Sequence, residues 1–149
     1  GMALHPLPDA PELPSGVSLD AVGEPDLGDF RAVLEEGGLS SSLAHRMFPS
    51  SFVADPDVRL FVGRLDWKPV GTAIAIRSRD AGGVYNVVTL PVARRRGVGT
   101  ALTWASVEAG RAWGHDTVVL QSSAMGLPLY SKMGFRTVAP YVVFAAPGT

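Results

Sequence analysis

No cysteine occurs in the 149 residues, which excludes disulfides, a thiol nucleophile and any metal site built on thiolates. The histidines His5, His45 and His115 are scattered without metal-ligand spacing, so no metal is expected. No apolar run comes near the ~20 residues that a membrane-spanning helix needs, so no membrane partner is expected. The N-terminus lacks a basic region followed by an apolar stretch; no secretory signal is read, and a cytoplasmic protein is expected. Charge of one sign is also missing: 13 Lys and Arg against 14 Asp and Glu leave a net charge of −1. Three consecutive arginines stand without a second basic cluster or an aromatic ladder, so nucleic acid is not expected as a partner. With 46% hydrophobic residues, what remains is one ordinary domain.

Glycine and proline are plentiful, at 17 and 12, and they punctuate the chain. Pro6, Pro8, Pro11 and Pro14 make residues 1–14 an extended lead-in, with Gly1 before Met2 resembling a cloning remnant. The domain proper is read from 15 to 149. Ser15 to Val22 reads as a first strand, and Glu24-Pro25-Asp26 starts a helix that reaches Glu36 before Gly37-Gly38. A second short helix spans Ser40 to Met47. Val58 to Val62 and Val70 to Ile76 alternate around Asp66-Trp67-Lys68-Pro69, which predicts a hairpin. The chain ends with strand-like Thr137 to Ala145, broken near Pro140.

Most informative is the run from Gly83 to Leu102. A strand-like stretch ending at Thr89 is followed by Arg94-Arg95-Arg96-Gly97-Val98-Gly99. Apolar residues then recur in helical steps at Val98, Ala101, Leu102, Ala105, Ala109 and Ala112. An Arg-x-x-Gly-x-Gly turn between strand and helix points backbone N–H groups one way, at the positive end of a helix dipole, and so favours an anion. It is not a Walker A loop, because no Gly-Lys pair occurs in the chain. Nor is it a full dinucleotide fingerprint, because Gly97-Val98-Gly99-Thr100-Ala101-Leu102 lacks the third glycine, although Asp116 sits near the distance such a site requires.

A second pattern lies downstream. Thr117 to Gln121 is short, apolar and β-branched, the signature of a buried strand. Ser122 or Ser123 then caps a short helix with Pro128 in its first turn and Gly134 at its end. Together, Arg94 to Gly99 and Leu129-Tyr130-Ser131-Lys132-Met133-Gly134-Phe135 resemble the GCN5-related N-acetyltransferase (GNAT) family. The first matches the family's Gln/Arg-x-x-Gly-x-Gly/Ala acyl-CoA loop, and the second its Leu-Tyr-x-x-x-Gly-Phe signature.

The resemblance implies an α/β (α+β) GNAT fold: one mixed central sheet of six to seven strands with about four helices, in the order β-α-α-β-β-β-α-β-α-β. It implies acetyl-CoA as acyl donor and the amine of a small molecule or peptide as acceptor. Val87, Val88 and Thr89 would offer main-chain groups to the pantetheine arm. Arg94, Arg95, Arg96, Gly97, Val98, Gly99 and Thr100 would hold the pyrophosphate. Tyr130 would be the general acid toward the departing thiolate, and Ser123 stands where many members carry a cofactor-binding asparagine. Tyr85-Asn86-Val87-Val88 offers no carboxylate where many relatives place a glutamate, which leaves Glu35 or Glu36 as candidate bases beside water. The acceptor pocket would be shaped by the first two helices, with Met47, Phe48, Phe52, Val53 and Arg46 nearby. A homodimer is expected by analogy alone. The competing reading is a non-catalytic acyl-CoA-binding or adaptor module of the same fold; a nucleotide-binding Rossmann domain stands behind it.

Overall fold

Seven strands hydrogen-bond into one mixed sheet in the computed structural model, which describes residues 1–146. They are β1 (Met2–Leu4), β2 (Val17–Ala21), β3 (Val58–Leu65), β4 (Lys68–Arg77), β5 (Gly82–Thr89), β6 (Val118–Leu120) and β7 (Arg136–Thr137), in the spatial order β2-β3-β4-β5-β6-β1-β7. Among the described residues five α-helices lie between them: α1 (Leu27–Glu36), α2 (Ser41–Met47), the single turn α3 (Ser51–Ala54), α4 (Val98–Ala112) and α5 (Leu127–Lys132). Every strand pair is antiparallel except β5 with β6, which α4 connects as a crossover. The fold class is the one expected, and the middle of the chain follows the expected order.

Local chemistry accounts for the elements. The β3–β4 hairpin turns through Asp66 and Trp67, both at positive φ (47° and 72°), so the backbone twist of the turn matches that of the strands. A one-turn 3₁₀ segment, Glu24–Asp26, leads into α1, with Pro25 where its missing N–H costs nothing. Helix α1 buries Leu27, Phe30, Val33 and Leu34 on one face of the sheet, beside Phe48, Leu60, Val62 and Ile74. Phe30 and Phe48 meet edge to face at 5.3 Å. The opposite face carries α4, whose Val98, Ala101 and Leu102 lie on β2–β4 and whose Trp104 and Val107 pack under β5, β6 and β1. Fully burying side chains such as Phe30 and Leu102 contributes about 2–3 kcal/mol each. Close approach of α4 depends on the facing pair Gly63 and Gly71, where an added Cβ would lie 2.9 Å and 2.8 Å from Val98 and Leu102 carbons. Between β2, β3 and α1, Arg64 donates to Asp20 Oδ2 (2.6 Å) and Asp29 Oδ2 (2.8 Å), tying the sheet edge to the helix.

Two expectations about the ends are corrected. The lead-in over 1–14 is not all outside the sheet: Met2–Leu4 inserts between β6 and β7 as β1, and Met2 and Leu4 are buried. Its alternation of two apolar side chains around Ala3 fits the pleat, and the proline count of the neighbouring residues hid it. Residues 5–14 do run without helix or strand, but along α4. Arg111 donates to Pro8 O at 2.6 Å near the helix C-terminus, and Pro14 lies against Gly97 at its N-terminus. The strand expected over Thr137 to Ala145 is only Arg136–Thr137. β1 occupies the place beside β6 that it would have filled, and beyond Thr137 the chain leaves the strand after Val138 N–H donates to Gly1 O at 3.0 Å. The last three residues of the expected domain, 147–149, lie outside the described residues.

Candidate active site

Strands β5 and β6 run side by side for only three residue pairs, Gly82–Val118, Gly83–Val119 and Val84–Leu120, and then part. A bulge causes the divergence on the β5 side. Thr72 pairs with Val88 and Ile74 with Tyr85, so Asn86 and Val87 together oppose Ala73. Asn86 takes φ +49°, and the buried Thr72 hydroxyl donates to Asn86 O at 3.4 Å. The extra residue breaks the alternation, so Val84 and Val87, three apart, both pack with the α4-side cluster while Val88 packs with the α1-side cluster. Main-chain groups of Val87 to Thr89 therefore border a wedge between two strands.

The wedge ends at the Arg-x-x-Gly-x-Gly turn. After Thr89 and Leu90, a 3₁₀ turn (Pro91–Ala93) leads through Arg95 at φ +60° to Gly97 at φ +83°, the N-cap of α4. Gly97 is required twice over: the backbone is left-handed, and an added Cβ would stand 2.6 Å from Pro14 Cγ. At Gly99 an added Cβ would lie 3.2 Å from Thr89 Oγ1, so the first turn of α4 sits directly on the strand end. The first-turn N–H groups of a 15-residue helix converge here with its positive dipole end. Arg94, Arg95 and Arg96 are exposed, and among the described residues none forms an ion pair, unlike Arg64 with its two carboxylates. Free guanidinium groups over a positive helix end suit a pyrophosphate, with its several anionic oxygens.

From the other side of the wedge comes α5. Gly134 at φ +102° ends it, as expected, but its start differs: Gly126 is the N-cap, and Ser123 Oγ accepts from Gly126 N–H at 3.2 Å one turn earlier. Ser123 thus holds the turn that aims α5. Tyr130 lies over Gly126, where an added Cβ would be 2.9 Å from its Cε2, and meets Phe135 edge to face at 6.0 Å. Its phenol is half-buried. Burial raises its pKa above the ordinary value near 10, with the Thr103 hydroxyl partly opposing that rise. Thr103 in turn donates to Gly99 O at 2.8 Å. A chain of contacts thus joins Tyr130 to the glycine turn through Thr103.

On the opposite face of β5, Leu34, Leu39, Met47, Phe48, Asn86 and Val88 line a cavity of about 330 Å³ with Gly37 and Gly38 at its rim. Of the residues expected near an acceptor, Met47 and Phe48 line it, while Phe52 and Val53 pack against the core instead. Neither Glu35 nor Glu36 is among the lining residues. Sequence reasoning missed Thr103, Asn86 and Thr72. A polar Asn inside an apolar strand was the one visible sign of the bulge; nothing marked Thr103 except its spacing of four from Gly99. Among the described residues no group of three or more His, Asp or Glu gathers as a metal site.

A model of the acetyltransferase (GNAT) family matches residues 29–135. Over 58 residues the chain is 41% identical to a glucosamine 6-phosphate N-acetyltransferase of Trypanosoma brucei brucei; the match covers 39% of this chain and 40% of that relative, less than half its length. Among solved structures, AAC(6′)-Iy bound to a bisubstrate analogue of CoA and acetylneamine superposes with a TM-score of 0.75 at 16% identity, over 89% of this chain and 99% of that one. A predicted acetyltransferase of Clostridium acetobutylicum with acetyl-CoA gives 0.67 at 16% identity, over 87% and 96%. At these identities the superpositions establish the fold.

Proposed function

The chain belongs to the acetyltransferase (GNAT) family, and from that premise we propose that it transfers an acetyl group from acetyl-CoA to the primary amine of a small molecule. The observation that carries this reading is the wedge between β5 and β6, closed at one end by the arginine-glycine turn and flanked by Tyr130. The similarity to a glucosamine 6-phosphate N-acetyltransferase and the superposition on a structure holding acetyl-CoA support a small amine acceptor and that donor.

Acetyl-CoA, when bound, supplies the thioester. The residues of this chain then have separate tasks. N–H groups at Gly97 to Thr100 hold the pyrophosphate, with Arg94, Arg95 and Arg96 adding charge at its edge. Main-chain groups of Val87, Val88 and Thr89 orient the pantetheine arm along the wedge. The bulge sets the two reacting sides apart: the cavity at Asn86 and Val88 admits the amine from one face, and Tyr130 reaches the sulfur from the other. As the N–C bond forms and the C–S bond breaks, the amine gives one proton to water and Tyr130 gives one to the thiolate. A phenol whose pKa is raised by burial keeps its proton at neutral pH, which a general acid requires. Ser123 serves by fixing the turn before α5.

The test is a thermal shift with acetyl-CoA, with NADH and ATP as comparators. A ligand at about 100 times its Kd stabilises by about 2.7 kcal/mol, or roughly 5–10 °C for a domain of this size. A rise with acetyl-CoA alone, followed by thiol release in the presence of amines, is the expected result. No rise refutes the proposal, and binding without turnover over a broad amine panel leaves an acyl-CoA-binding module.

A further inference from the structure

We infer that the acceptor is a monoamine with an apolar body, held in the cavity between α1, α2 and the β5 bulge. The inference rests on the acetyl-transfer reading and goes beyond it by naming the acceptor's chemistry. Five of the eight lining residues carry apolar side chains (Leu34, Leu39, Met47, Phe48 and Val88), two are glycines, and Asn86 alone is polar. None of the eight is ionisable. The basic groups near α2 are turned to other work or to solvent. Arg31 donates to Phe48 O through Nε (3.1 Å) and Nη2 (2.6 Å), His45 Nδ1 lies 2.9 Å from Ser41 O, and Arg46 is exposed.

This lining sorts amines by chemistry. A sugar phosphate needs a cationic partner for its phosphate, and the wall offers none. An aminoglycoside would desolvate several ammonium groups against leucine, methionine and phenylalanine with no carboxylate in return. A monoamine with an aryl or alkyl body buries that body and leaves only its nitrogen to place. Asn86, lifted out of the strand pleat by the bulge, is the polar group beside that nitrogen. With no carboxylate in the lining to hold an ammonium, the amine that attacks is its neutral fraction. The cavity volume, about 330 Å³, lies at the small end of ligand pockets, which suits a single-ring body.

The experiment compares 2-phenylethylamine, glucosamine 6-phosphate and neamine as acceptors, following thiol release from acetyl-CoA. The expected result is a kcat/KM for 2-phenylethylamine at least tenfold above either polar amine. Preference for a polar amine, or acetyl-CoA binding with 2-phenylethylamine inert, overturns the inference while leaving acetyl transfer standing. Failure of acetyl-CoA itself to raise the melting temperature removes the underlying reading instead. A second arm uses Met47→Lys, at a half-exposed position in the last turn of α2 where folding tolerates a cation and where it repels the amine. KM for 2-phenylethylamine should rise at least tenfold with kcat and the acetyl-CoA KM little changed; an unchanged amine KM overturns the assignment of this cavity.

Discussion

Replacing Gly97 by alanine tests the most crowded point of the glycine turn. Two costs add. An alanine held at φ +83° pays the left-handed penalty of about 1–2 kcal/mol. Its Cβ would also stand 2.6 Å from Pro14 Cγ, about 1 Å inside ordinary carbon contact, and relieving such an overlap costs about 1–3 kcal/mol. Together they come to about 2–5 kcal/mol, a fall in Tm of roughly 4–20 °C for a domain near this size. The two costs can be separated, because only the second involves the lead-in. In a Pro14→Gly background the ring is gone and the left-handed cost alone remains, so Gly97→Ala should there cost only about 1–2 kcal/mol. Urea or thermal unfolding of the four proteins in this cycle gives the coupling directly. Equal penalties for Gly97→Ala with and without Pro14 would show that the lead-in does not press on the turn. No penalty in either background would refute the left-handed geometry as well.

Tyr130→Phe should lower kcat by about 10²–10³ with the acetyl-CoA KM little changed, as loss of a general acid requires; a KM effect alone would make the phenol a packing residue. The same substitution has a stability signature. Because burial favours the neutral phenol, its folded pKa lies above the unfolded value near 10, so its stabilising effect is full below that pH and is lost as pH rises beyond it. Melting temperature should therefore fall more steeply above pH 10 in the native protein than in Tyr130→Phe. Leu4→Ala should cost about 2–4 kcal/mol by chemical denaturation, because Leu4 is a buried residue of β1; a change below about 0.5 kcal/mol, the usual surface effect, would return residues 2–4 to a loose lead-in. With no carboxylate in the acceptor cavity, log kcat/KM should climb with unit slope up to the pKa of the amine supplied. Comparing two amines of different basicity checks this: an inflection that stays fixed between them would reveal a base belonging to the protein.

Local pattern was enough for the parts of this chain whose structure depends on near neighbours. The Arg94–Gly99 turn, the helical stripe from Val98 onward, the Asp66–Trp67 hairpin and the Gly134 helix end were legible because backbone angles and periodicity are set within a few residues. The pairing of two motifs about thirty residues apart carried the family, and with it the sheet. Tertiary structure decided what depends on distant partners. Three residues at the N-terminus form an inner strand only because β6 and β7 offer hydrogen-bonding edges on either side, and with that place filled the last strand ends at Thr137. Neither proline content nor β-propensity encodes such a competition. Thr103 reaches Tyr130 because α4 and α5 pack together, and Asn86 turns toward the cavity because the bulge breaks the alternation of β5. A single sequence fixes which residues can bend, cap or bury; which of them meet is settled by the free energy of the whole packed sheet.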